Sequence, residues 1–257
     1  GGPLIILHSV RSSHTTAMPL LLTRHPFPDT TFGLWQIAEE ESFFRDELPL
    51  SEAEETEVAR LKNSLRRHEW FAGRWLLHKL SGAPQRLPLA NAAFSKPFFP
   101  ENRSLACSLS QSHGVVGALM GKWGWRKTEG EASTLAEIGC DVQVLVEKMP
   151  RLAGKFLNAA EEEFIAAHAQ PTQFDLFHVF WTAKESLYKA YGLKELDFRT
   201  HMRLEPFLWE DGRTTARGWV EKQEYRQAFR LQSEKIDLPD SGELIWTVCV
   251  PETVSLS

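Results

Sequence analysis

Cysteine is scarce in this chain: Cys107, Cys140 and Cys249 are the only three in 257 residues. An odd number at wide spacing excludes a disulfide framework and points to a reducing compartment, the cytoplasm. Cys140 has no histidine close in sequence to activate it and reads as a buried, inert thiol. Long apolar runs are missing as well, and nothing approaches the roughly 20 residues of a membrane span, so no membrane partner is expected. Residues 1–17 lack the basic start and long apolar centre of a secretory signal. With Gly1-Gly2 ahead of them and Met18 behind, they read as a remnant foreign to the native chain or as disordered, Met18 being the expected natural start. Positive charge is also in deficit: 29 Lys and Arg against 34 Asp and Glu give a net charge of −5. That balance argues against nonspecific nucleic-acid binding, and any basic docking surface must be a local patch working against the global sign.

What is present is ordinary for a soluble globular protein: 42% hydrophobic and 25% charged residues. The length allows one large core or two small ones. Strands are expected over residues 31–37 and 115–120, with a single long helix between them from about 51 to 80. Ser51 and Glu54 form a capping-box pattern at its start, and Ser81-Gly82 a stop. Arg60, Arg67 and Arg74 recur every seven residues on that helix, flanked by Lys62 and Arg66, and read as a basic face. Residues 81–104 read as connecting turns and 121–133 as a polar excursion. A strand ending at Asp141, a helix over 151–169, a further helix and four closing strands follow. The pattern is α+β. The halves are drawn at 18–125 and 126–257.

The chemistry concentrates in that further helix. Leu176, Phe180, Ala183, Leu187 and Ala190 form an apolar stripe at helical spacing. Glu185 and Lys189 point the other way, among Trp181 and Phe174, which suggests a cleft wall. Asp141 closes the run Ile138-Gly139-Cys140-Asp141-Val142. If strand and helix meet, Asp141 and Glu185 converge as two hard oxygen ligands of the kind that hold Mg²⁺ together with water and substrate phosphate. A surface ion pair and a turn residue are the plain alternative for each segment alone.

The combination of Gly139-Cys140-Asp141 with Trp181-Thr182-Ala183-Lys184-Glu185-Ser186-Leu187-Tyr188-Lys189, 44 positions separating the two acids, resembles the 4′-phosphopantetheinyl transferases of the Sfp type. Phe71-Ala72-Gly73-Arg74, Ser95-Lys96-Pro97-Phe98 and Ser108-Leu109-Ser110 resemble further elements of that family in the same order. The likeness extends from about residue 50 to 193. It implies two similar α+β halves in a pseudo-twofold arrangement, with the active site in the cleft between them. It implies transfer of the phosphopantetheine arm of coenzyme A to a serine of an acyl, peptidyl or polyketide carrier protein, with Mg²⁺ as cofactor and adenosine 3′,5′-bisphosphate as product. Such a chain would act as a monomer.

By the same resemblance Asp141 and Glu185 hold the metal, Glu185 accepts the serine proton and Lys189 stabilises the leaving phosphate. Lys62, Arg74, Lys96, Ser110 and Lys184 become candidate coenzyme A contacts. Gln143 stands where the family often carries a third acid, so it would offer a neutral carbonyl or give way to water. Gln111 stands where a histidine is expected, and either it or His113 would meet the phosphates. Two other readings stay open here: a coenzyme A-dependent acyltransferase, and a non-catalytic coenzyme A-binding homologue.

Overall fold

The computed structural model describes residues 20–92, 96–122, 138–193, 195–240 and 242–252. Met18, Ser95 and the expected boundary at 125/126 lie outside them. In chain order the elements are β1 (Leu20–Arg24), β2 (Thr30–Gln36), α1 (Glu41–Glu47), α2 (Glu52–Ala59), α3 (Ser64–Ser81), β3 (Ala90–Asn91), β4 (Pro97–Phe98), β5 (Leu105–Ser112) and β6 (Val115–Lys122). Then come β7 (Gly139–Val144), α4 (Met149–Leu152), α5 (Ala159–Ala166), α6 (Gln170–Tyr191), β8 (Met202–Leu204), β9 (Arg213–Lys222), β10 (Tyr225–Asp237) and β11 (Glu243–Pro251). The fold is α+β. Its two main sheets are antiparallel throughout, ordered β1-β2-β6-β5 and β7-β11-β10-β9-β8.

Period-two alternation decides which face each sheet turns inward. Along β6, Val115 and Leu119 join Phe32, Leu34, Cys140, Val142, Trp246 and Val248 in a core between the sheets. Val116, Ala118 and Met120 face the other way, onto Phe71, Trp75 and Leu76 of α3. On the second sheet, Leu231 and Cys249 turn outward to Leu176, Phe180 and Leu187 of α6. The layers therefore run α3, sheet, sheet, α6. Burying a side chain such as Phe32 or Leu34 contributes about 1.5–3 kcal/mol, and the inter-sheet core holds many.

Two expected helices are each broken by an asparagine cap. The 51–80 helix begins with the expected capping box and ends at Gly82 in the left-handed region (φ 62°), but it is interrupted. Asn63 takes an extended backbone and its side chain accepts the Arg66 amide at 3.0 Å, opening α3 afresh. Asn158 does the same before α5, in a capping box with Glu161. The interruption also dissolves the expected basic face. Arg67 pairs with Glu41 at 3.0 Å, and Arg74 is buried against Glu57 at 3.2 Å.

β5, a stretch for which the sequence predicts no element, is a full edge strand, and β7 is the facing edge of the other sheet. The two do not share a backbone ladder. Instead the hydroxyls of Ser108, Ser110 and Ser112 accept the amides of Cys140, Val142 and Val144 at 3.0, 3.1 and 3.1 Å. Ala106 and the three serines lie on one face of β5 by alternation, and Ala106 joins the inter-sheet core. A strand edge that would otherwise leave buried N–H groups unpaired is thereby satisfied.

Candidate functional site

α6 packs against β7 and β11, and Gly139 sets how closely. A β-carbon there would run into the Ser186 carbonyl oxygen and lie 2.9 Å from the Ala190 amide nitrogen. Only glycine admits this approach. Two residues along the strand, on the same face, is Asp141; one residue before Ser186 is Glu185. Asp141 is in the middle of β7, not at a strand end as the sequence suggests, and pairs with Thr247 of β11. Thr182 and Ser186, outside the expected apolar stripe of α6, are fully buried too. They bond Thr247, through its hydroxyl at 2.7 Å and its carbonyl at 3.1 Å.

Asp141 is 6% exposed. Its Oδ1 accepts the Ser110 hydroxyl at 2.7 Å and the Lys189 ammonium at 2.8 Å. Lys189 also donates to the Cys140 carbonyl at 3.0 Å. Burial works most strongly against the Lys189 charge, but the charge and hydrogen bond of Asp141, with Cys140 and Glu185, together raise its pKa. Glu185 is half-buried and receives no hydrogen bond among the described residues. Burial, then the charge of Asp141, push its carboxyl up to about 7, with Lys189 pulling the other way. Two carboxyls near enough for their charges to interact, with a single ammonium bonded to Asp141, leave a site that favours added positive charge. Hard oxygen donors of this kind suit magnesium. Among the described residues no cluster of three or more His, Cys, Asp or Glu forms a metal site, so solvent and substrate would supply the remaining ligands. The residues present fit the ion.

Beside this triad opens a cleft of about 890 Å³. One wall is α3 and β5, with Arg66, Glu69, Trp70, Arg74, Ser110 and Gln111; the other is Gln143, Lys148, Met149 and Trp181. Asp141, Glu185 and Lys189 are not part of its lining, but Ser110, Gln143 and Trp181 are their immediate neighbours and are. Gln143 shares the Asp141 face of β7, and its amide donates to the Val144 carbonyl at 2.8 Å.

Of the other expected contacts, Gln111 and His113 both reach the cleft and both are exposed. His113 and Gly114 form the two-residue β5–β6 turn with φ of 50° and 77°, the left-handed pair such hairpins need. Arg74 lines the cleft, yet its guanidinium stacks 3.6 Å from the Trp70 ring centroid. Burial lowers its pKa to about 10. Lys96 is buried and donates to the Ala190 carbonyl at 2.8 Å, tying the first half to the end of α6. Lys62 is exposed and is not among the residues lining the cleft. Lys184 does not join the cleft at all. It is wholly buried, bonded to Glu161 at 2.6 Å and to the Phe156 and Phe198 carbonyls at 2.7 and 2.8 Å. Its burial lowers its pKa. The sequence reading missed Trp70, Glu69 and Lys148, whose types carry no local signal. It also missed the seam, which the alternation Ser-x-Ser-x-Ser could have announced.

Cys107 and Cys140 are buried free thiols whose pKa burial raises to about 12 and about 11; for Cys140 that burial is the one expected, and a thiol held protonated is a poor nucleophile. No helix among the described residues is long and apolar enough to cross a membrane. Residues 137–249 match the model of the 4′-phosphopantetheinyl transferase superfamily. The match spans 113 residues, less than half the chain, and contains Asp141, Glu185 and Lys189. No curated protein matches the chain.

Proposed function

We propose that this chain is a phosphopantetheinyl transferase of the Sfp type, moving the phosphopantetheine arm of coenzyme A onto a carrier-protein serine. The observation that supports it most is the convergence of Asp141, Glu185 and Lys189 beside a large cleft, inside the segment the superfamily model matches. The same donor set on an unrelated chain would be only an acidic cluster.

The reaction breaks a phosphorus–oxygen bond of the pyrophosphate and forms one to the serine oxygen, so positioning and charge neutralisation are the main tasks. Glu185 takes the proton of the attacking hydroxyl; a carboxyl with a pKa near neutrality, and with no donor on it among the described residues, suits that role. Lys189 sits one helical turn on and meets charge gathering on the leaving phosphate. Asp141 and Glu185, with Gln143 or a water, would hold Mg²⁺. The ion would neutralise the pyrophosphate oxygens. Gln111, His113, Arg66 and Lys148 offer neutral and cationic donors at the cleft for the remaining phosphates. Lys62, which does not line the cleft, and Lys184, which is bonded internally, have no part in this arrangement.

Incubation of an apo carrier protein with coenzyme A and Mg²⁺, read by intact mass, tests the proposal. A gain of one phosphopantetheine arm, absent without the metal and with Asp141→Ala or Glu185→Ala, is the expected outcome. No mass gain on acyl, peptidyl and polyketide carriers alike would sink it.

A further inference from the structure

We infer that Ser110 is a positioning residue for the Asp141 carboxylate, so that the acid of one half is aimed by the strand of the other. The inference rests on the proposed role of Asp141 in cation binding. The geometry that carries it is a doubly committed hydroxyl. A serine hydroxyl is free to rotate and chooses its partner by its surroundings. Here its oxygen accepts the Val142 amide at 3.1 Å, which uses a lone pair and turns the proton away from β7's edge toward Asp141, 2.7 Å off. Lys189 lands on the same oxygen, Oδ1, at 2.8 Å. Oδ2 receives no hydrogen bond among the described residues. Two donors on one oxygen fix the carboxylate's rotation and reserve the other oxygen for a cation. Such supports of a ligand usually matter nearly as much as the ligand itself.

Ser108 supplies the internal control. It makes the same kind of seam bond, to Cys140 at 3.0 Å, without touching Asp141. Removing either hydroxyl orphans a buried amide and costs stability alike, so stability alone cannot distinguish them. Ser110 also lies outside the matched segment, so that segment does not contain the whole of the site.

The test uses the full chain and Mn²⁺ as probe. Titration followed by electron paramagnetic resonance is expected to show Ser110→Ala weakening Mn²⁺ binding about tenfold. Ser108→Ala leaves the affinity unchanged, and Ser110→Thr, which keeps a hydroxyl, restores it. Equal affinity in Ser110→Ala and the unaltered protein, or equal weakening in Ser108→Ala, overturns the inference. A crystal structure of Ser110→Ala gives an independent reading: the Asp141 carboxylate is expected to turn, and an unchanged orientation overturns the assignment. If the unaltered protein takes up no Mn²⁺, the cation-binding part of the proposed function fails, and the carboxylate orientation alone then decides the role of Ser110.

Discussion

At Glu185 the ordinary carboxyl pKa of 4.5 is driven up to about 7 by burial and by Asp141. An acid held this way stabilises the fold while protonated. That contribution is complete below pH 4.5 and is lost as pH rises through 7. In a chelator, Glu185→Gln is therefore expected to raise the melting temperature at pH 8 by the equivalent of about 2–3 kcal/mol and to change little at pH 4.5. Thermal denaturation at the two pH values checks this, and equal effects at both would contradict it. The same variant should lose phosphopantetheine transfer by a hundredfold or more, as removal of a well-placed catalytic group does. Gly139→Ala tests a different limit. The added carbon meets helix backbone and not a pliable side chain tip, so a loss of about 3 kcal/mol or more is expected by urea denaturation. The spacing of Gly139, Asp141, Glu185 and Lys189 is legible in the sequence because each residue does its work through its own side chain, or the lack of one. Lys184 is not legible in that way. Beside Glu185 in a charged motif it reads as a ligand contact, while its partners Glu161 and the Phe156 and Phe198 carbonyls come from elements the motif does not contain.

Among the elements, α6 shows what periodicity can and cannot reveal. Its apolar stripe is buried as expected, but Thr182, Lys184 and Ser186 are buried as well, because a polar residue can be internal when its partners are. Lys184 is the sharpest case. Truncating it leaves Glu161 charged in the interior, and Lys184→Met is expected to cost about 3–5 kcal/mol. Glu161→Gln in the same chain should recover part of that, measured as a double-mutant cycle. A Lys184→Met protein with unchanged stability but weakened coenzyme A binding would return the lysine to the cleft. The sequence predicts helices over 51–80 and 151–169 that are longer than those observed, for one reason. Asn63 and Asn158 look like tolerable interior residues until a local side-chain bond to the backbone competes with the helix. β5 was missed because its alternation is of serine and not of apolar residues.

For the whole molecule, the core between the sheets draws on β2, β5 and β6 from one side and on β7 and β11 from the other. Neither half can bury its inner face alone. Near- and far-ultraviolet circular dichroism should follow one coincident urea transition, and two separated transitions would show the halves to be independent. The α+β class was plain from pattern. How the two sheets stack was not, since which strand edges meet is a matter of contacts distant in sequence. The joint itself has a mechanical consequence. Three backbone amides across it donate to serine oxygens, so the distance between the two strands is set by the reach of a side chain and not by the spacing of a shared ladder. Longer or shorter residues at Ser108, Ser110 and Ser112 would therefore reset how far apart the sheets stand, which substitutions along a continuous sheet would not do.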